Sequence, residues 1–313
     1  MARWPLALRS LPRKKPLSIK EMPVSDDFPT PEFPAMLELH CHTTYSDGTL
    51  TPAELVAAAA IAQVKAIAIT DHDTLSGWPE AFAAAEEYGI EIVPGVELST
   101  VYRGRSLHIL GFYPDPEALT PDLIERREGR KRRAQEMADR LANLGYPISL
   151  PPLAGAIAPG RLHIAQALVA AGHIAHPQEA FERFIGEDKP AYVHYEKFPA
   201  VEGIALLRST GAVPVWAHPC LFRGGTVASV LPELVAAGLL GLEVYHPAQS
   251  PSDTRHLLAY CQQYSLLPTG GSDYHGPSET HTKATQPSAL NQFALPLSLL
   301  TPIQQAAGGL TPR

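Results

Sequence analysis

From Met36 onward the chain keeps one rhythm: an apolar run of strand length, a segment of helical length, then another apolar run. Thr51-Pro52-Ala53-Glu54 supplies an N-cap, a proline at the first helical position and an acid in the first turn, ahead of an Ala-rich helix over 53–63. The pattern continues with strand 64–70, helix 76–88, strand 90–97 and strand 106–112. After a break it resumes with helix 200–209, strand 212–217, helix 226–237, strand 239–245, helix 252–264 and strand 266–270. Apolar runs of this kind suit strands buried on both faces, and repeated βα units imply a parallel sheet wrapped as a barrel.

Barrels of this kind assemble sites at the C-terminal ends of their strands, and titratable residues recur there. The stretch 37–48, LELHCHTTYSDG, places His40 and His42 at i and i+2, on one face of a strand. Asp47 follows in a Ser-Asp-Gly turn that can fold its carboxylate back toward the pair. His72 ends the next strand, Glu97 the one after, and His108 lies on the fourth. His218 ends the fifth, and Asp273 and His275 repeat the i, i+2 spacing in Gly-Gly-Ser-Asp-Tyr-His-Gly. A single histidine at a strand end is ordinarily a polar rim residue, and an aspartate in a turn is ordinarily a cap. Their recurrence at one strand end after another is what makes a metal site. A histidine and carboxylate set suits Zn, Mn or Fe, and the lack of paired thiolates argues against a structural zinc cage. Nine ligands are too many for one ion. Shared three or four per metal, with a carboxylate such as Glu97 bridging, they suit two or three ions in one pocket.

The rest of the chain divides around this core. Residues 1–35 carry six Lys/Arg in the first twenty positions and prolines at 5, 12, 16, 23, 29, 31 and 34, the composition of a poorly structured extension. Trp4-Pro5-Leu6-Ala7-Leu8 is too short for the apolar segment of a secretory signal, and Met36 is a second candidate start. Residues 36–113 and 199–288 form the barrel. Residues 114–198, a long helical pattern to Leu144 and then shorter ones near 161–171 and 176–186, read as a helical insertion capping the barrel mouth. Residues 289–313 form a C-terminal tail with a short helix. A formal net charge of -7 argues against a surface built for duplex nucleic acid. Cys41, Cys220 and Cys261 make no disulfide framework and fit a reducing compartment, the cytoplasm. No apolar run is long enough to span a membrane.

The segments LELHCHTTYSDGTLTPAELV, AIAITDHDTLSG, IVPGVELST, LHILGFY, GRLHIAQALV, PAYVHYE, VWAHP and GGSDYHGP resemble those of the PHP (polymerase and histidinol phosphatase) phosphoesterases. The nearest branch is the stand-alone bacterial one of 3′,5′-nucleoside bisphosphate phosphatases and a related 5′-to-3′ exoribonuclease. The resemblance runs over about 36–280. It implies a distorted (β/α)7 TIM-like barrel with a helical insertion over its C-terminal face, and a trinuclear site, commonly of manganese, iron or zinc. By that resemblance His40, His42, Glu97 and Asp273 hold the first ion, Glu97, His108 and His218 the second, and Asp47, His72 and His275 the third. A metal-activated water held by Glu97 and Asp273 would then attack phosphorus in line with the leaving oxygen, with no protein nucleophile.

The implied substrate is a small nucleotide, either a 3′,5′-nucleoside bisphosphate converted to the 5′-monophosphate or a short single-stranded RNA trimmed from its 5′ end. Gly160-Arg161-Leu162-His163 resembles the family's Gly-Arg-x-His segment, which points at substrate phosphate, so Arg161 and His163 are the leading substrate contacts. Arg130 and Arg133, three apart on one helical face, come next, then Lys189. A solvated helix face is the plain alternative for that arginine cluster. Histidinol phosphate hydrolysis is the alternative activity, and a non-catalytic metal-binding or polymerase-associated module is the alternative from another class. The insertion counts against the former, and the full ligand set against the latter.

Overall fold

Successive side chains of a strand leave opposite faces of the sheet, and here the two faces are both apolar. The computed structural model describes residues 36–150, 160–194, 198–277 and 289–308 of the 313-residue chain. In β2 (Val64–Ile69), Ala66 and Ala68 join one buried cluster, with Leu110 and Phe112 of β4 (Arg105–Phe112) and Val213 and Val215 of β5 (Val213–Trp216). Ile67 and Ile69 join another, against Leu55, Val56 and Ala59 of α1 (Pro52–Ile61) and Trp78, Ala81 and Ala85 of α2 (Trp78–Tyr88). A third cluster packs Val96, Leu98, Ile109, Trp216, Leu242 and Val244 against helices on the far side. The sheet therefore has helices outside and its own side chains within.

The strands run β7-β6-β5-β4-β3-β2-β1-β8, where β1 is Met36–Glu38, β3 is Glu91–Tyr102, β6 is Gly241–Tyr245, β7 is Leu267–Gly270 and β8 is Leu295–Pro296. A bridge between Cys41 and Tyr274, just past the ends of β1 and β7, brings the two sides together: His42 N–H donates to Tyr274 O at 2.9 Å. The expected α/β barrel is present. The N-terminus of α1 is capped as its sequence requires, Thr51 Oγ1 accepting from Glu54 N–H and the Glu54 carboxylate from Thr51 N–H. Outside the barrel stand α6 (Ala200–Ser209), α7 (Val227–Ala236) and α8 (Pro251–Tyr264).

One expectation needs correction: the sheet is not parallel throughout. β4 runs antiparallel to both β3 and β5. The cause is the two-residue turn Arg103-Gly104 between Tyr102 and Arg105, where both residues are left-handed (φ 51° and 79°), the turn geometry that suits the twist of a hairpin. β3 thus continues past Glu97 to Tyr102, and the two strands pair along their length. Also outside the expectation, β8 pairs antiparallel with β1, and Leu300 and Ile303 of α9 (Leu300–Gly308) join the inner cluster.

Between 114 and 198 the described residues form helices joined by turns. The first half of α3 (Pro116–Asn143) lays Leu119 and Leu123 on the barrel. Its second half packs Ala134, Met137 and Leu141 against Ile164 and Leu168 of α4 (Arg161–Ala170), and against Ala180 of α5 (Pro177–Ala180) and Phe184 in the π turn that follows. That is an apolar core separate from the barrel's. The proposed extension over 1–35 lies outside the described residues.

Candidate metal centre

The carboxylate of Glu97 sits at the middle of the barrel mouth, 1% exposed, with an imidazole on nearly every side. Its Oε2 is 3.2 Å from Nε2 of both His40 and His42 and 3.3 Å from Nδ1 of His72. Its Oε1 is 2.8 Å from Nδ1 of His108 and 3.0 Å from Nε2 of His218. Asp273 Oδ1 stands 3.3 Å from His40 Nε2 and 3.1 Å from His42 Nε2. Across His42, Asp47 Oδ1 is 3.6 Å from Nδ1 of that ring and 3.4 Å from His275 Nε2, while Asp47 Oδ2 is 3.8 Å from His72 Nε2. All nine residues read from the strand ends meet in this one space.

Three subsets bring their donor atoms within 4.8 Å of one another: His40, His42, Glu97 and Asp273; His42, Asp47 and His275; and His72, Glu97 and His108. The first is the set expected for the first ion. The second and third differ in arrangement from the expected sets: His72 lies close to Glu97 as well as to Asp47, and His42 faces Asp47 through its second nitrogen.

Local backbone explains the convergence. In the antiparallel ladder Ser99 stands opposite His108, and alternation keeps Glu97 and Ser99 on one face, so the reversed β4 brings His108 to Glu97. His218 (φ 32°) and Asp273 (φ 51°) both hold left-handed backbone just past a strand end. Such strain in non-glycine residues gathers at functional sites. Gly271 is required: a Cβ there would come within 2.4 Å of the His40 Cβ and 2.5 Å of its backbone nitrogen.

Behind the donors lies a supporting layer. His40 Nδ1–H donates to Glu243 Oε1 at 2.9 Å, and His275 Nδ1–H to the Asp273 carbonyl at 2.8 Å, which turns Nε2 of each ring inward. His42 Nδ1 is 3.3 Å from Ser46 Oγ, which in turn donates to Asp71 Oδ1 at 2.6 Å. Asp71 also accepts from the Thr43 N–H and hydroxyl, so it ties down the 43–47 turn rather than joining the donors. Sequence reading missed Glu243 and Glu38. Both are charges in short, otherwise apolar strands, Glu243 within β6 and Glu38 at the end of β1, and that is the signal that could have found them, because a buried carboxylate must have partners. Glu38 accepts from the Ser272 and Asn291 N–H groups, and burial pushes its carboxyl up to about 7 despite them. His246 lies behind Asp273, its Nε2 3.4 Å from Oδ2.

Ionised carboxylates and imidazoles face one another across the site. Burial opposes charge on every group, yet Glu97, Asp47 and Asp273 are held well below the usual carboxylate range by the surrounding imidazoles. Against the same burial, Asp273 and Glu97 raise His42 to about 10, and Glu243 with Asp273 lifts His40 well above its ordinary value. His72 and His108 go the other way, kept neutral by burial. His40 Nε2, His42 Nε2, His72 Nδ1 and Asp47 Oδ1 are buried and make no hydrogen bond, although opposing side-chain atoms stand 3.1–3.6 Å away. Those atoms point at common centres rather than at each other. Nitrogen and oxygen donors so disposed fit divalent Mn, Fe or Zn.

The candidate substrate contacts lie on the helical side. Arg130, buried, sends Nη1 to Asp73 Oδ2 at 3.2 Å and Ser99 Oγ at 2.6 Å, at the edge of the cluster. Gly160 lies above Asp47, and a Cβ there would be 2.8 Å from Asp47 Oδ2. Its N–H donates to His163 Nδ1 at 3.1 Å, and burial lowers that imidazole's affinity for a proton, so the neutral ring carries its hydrogen on Nε2. Arg133 donates from Nε to the Val193 carbonyl at 2.7 Å. Arg133 and Arg161 both approach Tyr192, 5.4 Å and 5.7 Å from its ring centre. No described helix is long and apolar enough to cross a membrane.

The family model of the PHP domain matches residues 38–148. A 5′-3′ exoribonuclease of Haemophilus influenzae is 35% identical over 247 residues, 77% of this chain and 90% of that one. A 3′,5′-nucleoside bisphosphate phosphatase of Chromobacterium violaceum is 31% identical over 253 residues, covering 78% and 89%. Among solved structures, a Bifidobacterium adolescentis protein assigned by inference as a metal-dependent phosphoesterase superposes with a TM-score of 0.78 at 33% identity, over 87% of this chain and 96% of that one.

Proposed function

The chain belongs to the PHP-domain family of metal-dependent phosphoesterases, and from that premise we propose that it hydrolyses phosphate esters of small nucleotides, with three divalent cations, manganese foremost, in its barrel mouth. The observation that carries this reading is the convergence of eight His, Asp and Glu side chains in three donor subsets, with His218 3.0 Å from the shared Glu97 and four buried donor atoms left without hydrogen bonds. His40, His42, Glu97 and Asp273 would hold one ion; Glu97, His108 and His218 a second; Asp47, His72 and His275 a third. Bound there, divalent cations would supply charge neutralisation for phosphoryl oxygens and acidify water to a nucleophile near neutral pH.

The protein's own groups supply the rest. Glu97 and Asp273 hold their negative charge in a buried site, which keeps the donor set ionised at any physiological pH. His163, neutral with its proton on Nε2, offers a hydrogen bond at the rim without adding charge. Arg130, ion-paired with Asp73, places a guanidinium at the edge of the cluster. Arg133 and Arg161, 5.4 Å and 5.7 Å from the Tyr192 ring centre, give a second cationic spot suited to a second phosphate.

The substrate is either a 3′,5′-nucleoside bisphosphate or a short 5′-phosphorylated RNA, which share one hydrolytic step. Phosphate or nucleotide release by manganese-loaded protein, compared across 3′-phosphoadenosine 5′-phosphate, AMP, histidinol phosphate and a short 5′-phosphorylated RNA, tests it. Preference for the bisphosphate or the RNA supports the nucleotide reading. Preference for histidinol phosphate keeps the metal site and overturns the substrate.

A further inference from the structure

Glu243 lies on β6, inside the barrel, with no exposed surface, and both of its oxygens are used. Oε1 accepts from Nδ1–H of His40 at 2.9 Å, and Oε2 accepts from the main-chain N–H of His218 at 2.6 Å. These partners come from opposite sides of the barrel and from two different ion positions of the reading above. His218 is unusual in its own right. It precedes Pro219, a place that favours extended backbone, yet it holds φ 32° and ψ 57°. In that turn its Nε2 comes to 3.0 Å from Glu97 Oε1.

We propose that Glu243 is a positioning residue that couples the two ion positions through one carboxylate. In the neutral, metal-binding ring it keeps the proton of His40 on Nδ1 and so frees Nε2 toward Glu97 Oε2 (3.2 Å) and Asp273 Oδ1 (3.3 Å). With its other oxygen it pins the left-handed turn that aims His218 at Glu97. The inference rests on the reading that His40 and His218 hold ions. Charge chemistry makes the carboxylate specific. Both partners are N–H donors, and only a carboxylate offers two acceptors in that space. A carboxamide accepts at one end only. If its oxygen serves His218, its NH2 meets His40 Nδ1, which must then accept, and the ring proton moves to Nε2, where an ion should bind.

The test uses full-length protein stripped with a chelator and titrated with Zn2+ against a chromophoric competitor, together with ring 15N spectra of the zinc-loaded form. Wild type should take up Zn2+ with the His40 proton on Nδ1. Glu243→Gln should weaken Zn2+ binding at both positions by about 10–100-fold and move that proton to Nε2. Glu243→Asp, which keeps two acceptors one methylene short, should recover part of the affinity. Glu243→Gln binding Zn2+ like wild type would overturn the proposal alone. A wild-type His40 protonated on Nε2 would overturn it whether or not the Gln variant folds. Failure of wild type to take up any Zn2+ would instead overturn the metal reading beneath it.

Discussion

Oε1 of Glu97 stands 2.8 Å from Nδ1 of His108, and the contact exists because β4 runs against β3. A fourth parallel strand would have presented its N-terminal half to the opposite end of the barrel. The hairpin at Arg103-Gly104 reverses it, and His108 arrives at the mouth beside a carboxylate that already faces His40, His42, His72 and His218.

Glu97 is therefore the residue whose loss should disperse the centre. Glu97→Ala should lower retained metal, measured by elemental analysis after gel filtration. It should also lower phosphoester hydrolysis by more than the ~10–100-fold typical of losing an outer partner. Metal content and hydrolysis equal to wild type would show that Glu97 is not shared between ions.

Metal uptake should release protons. Asp273 and Glu97 hold His42 near pKa 10 against the cost of burial, so at pH 8 its ring is protonated in the metal-free protein and must lose that proton to bind an ion. Addition of Mn2+ to stripped protein in weak buffer should acidify the solution, and apparent affinity should fall as pH is lowered. The same raised pKa sets the sign for stability. In the metal-free protein the His42 contribution is complete below pH ~6.5, the ring's unfolded value, and disappears as pH rises toward about 10. Thermal denaturation of stripped protein across pH 6–10 should show that decline, and metal-loaded protein should not.

Arg161 approaches the Phe181 and Tyr192 rings, at 5.6 and 5.7 Å, and belongs to none of the donor subsets. Arg161→Ala should raise KM about 10-fold or more, the worth of a charge-assisted hydrogen bond to phosphate, and leave metal content unchanged. Loss of metal in this variant would move Arg161 into the centre itself.

Gly160 starts α4 directly above Asp47. Gly160→Ala would set a methyl group 2.8 Å from Asp47 Oδ2 and 3.2 Å from Arg130 Nη2. Either the carboxylate or the helix start must shift. Expected are weaker occupancy of the site formed with His275 and slower hydrolysis, with little change in melting temperature. A variant indistinguishable from wild type in metal titration and rate would show that this approach has slack.

Much of this was legible in the chain because strand ends announce themselves. The apolar runs before His42, His72, His218 and Asp273 fixed where those side chains emerge, and the 3.6-residue pattern located every barrel helix to within a few residues. The direction of β4 was not legible in the same way. An Arg-Gly pair is a weak hairpin signal beside Asn-Gly, and the run after it reads equally well in either direction. Glu243 gives no such sign, because its effect comes from inside a strand rather than from its end. Arg133 shows the opposite limit. Helical spacing put it on a face with Arg130, and only the fold shows its Nε turned to the Val193 carbonyl.

The most direct measurement is titration of chelator-stripped protein with Mn2+, counting ions bound per chain by elemental analysis while following phosphate release from 3′-phosphoadenosine 5′-phosphate. Binding should approach three ions per chain, with hydrolysis absent in stripped protein and rising as the sites fill. Hydrolysis undiminished in stripped protein, or no divalent ion bound at all, would contradict a metal centre built around Glu97.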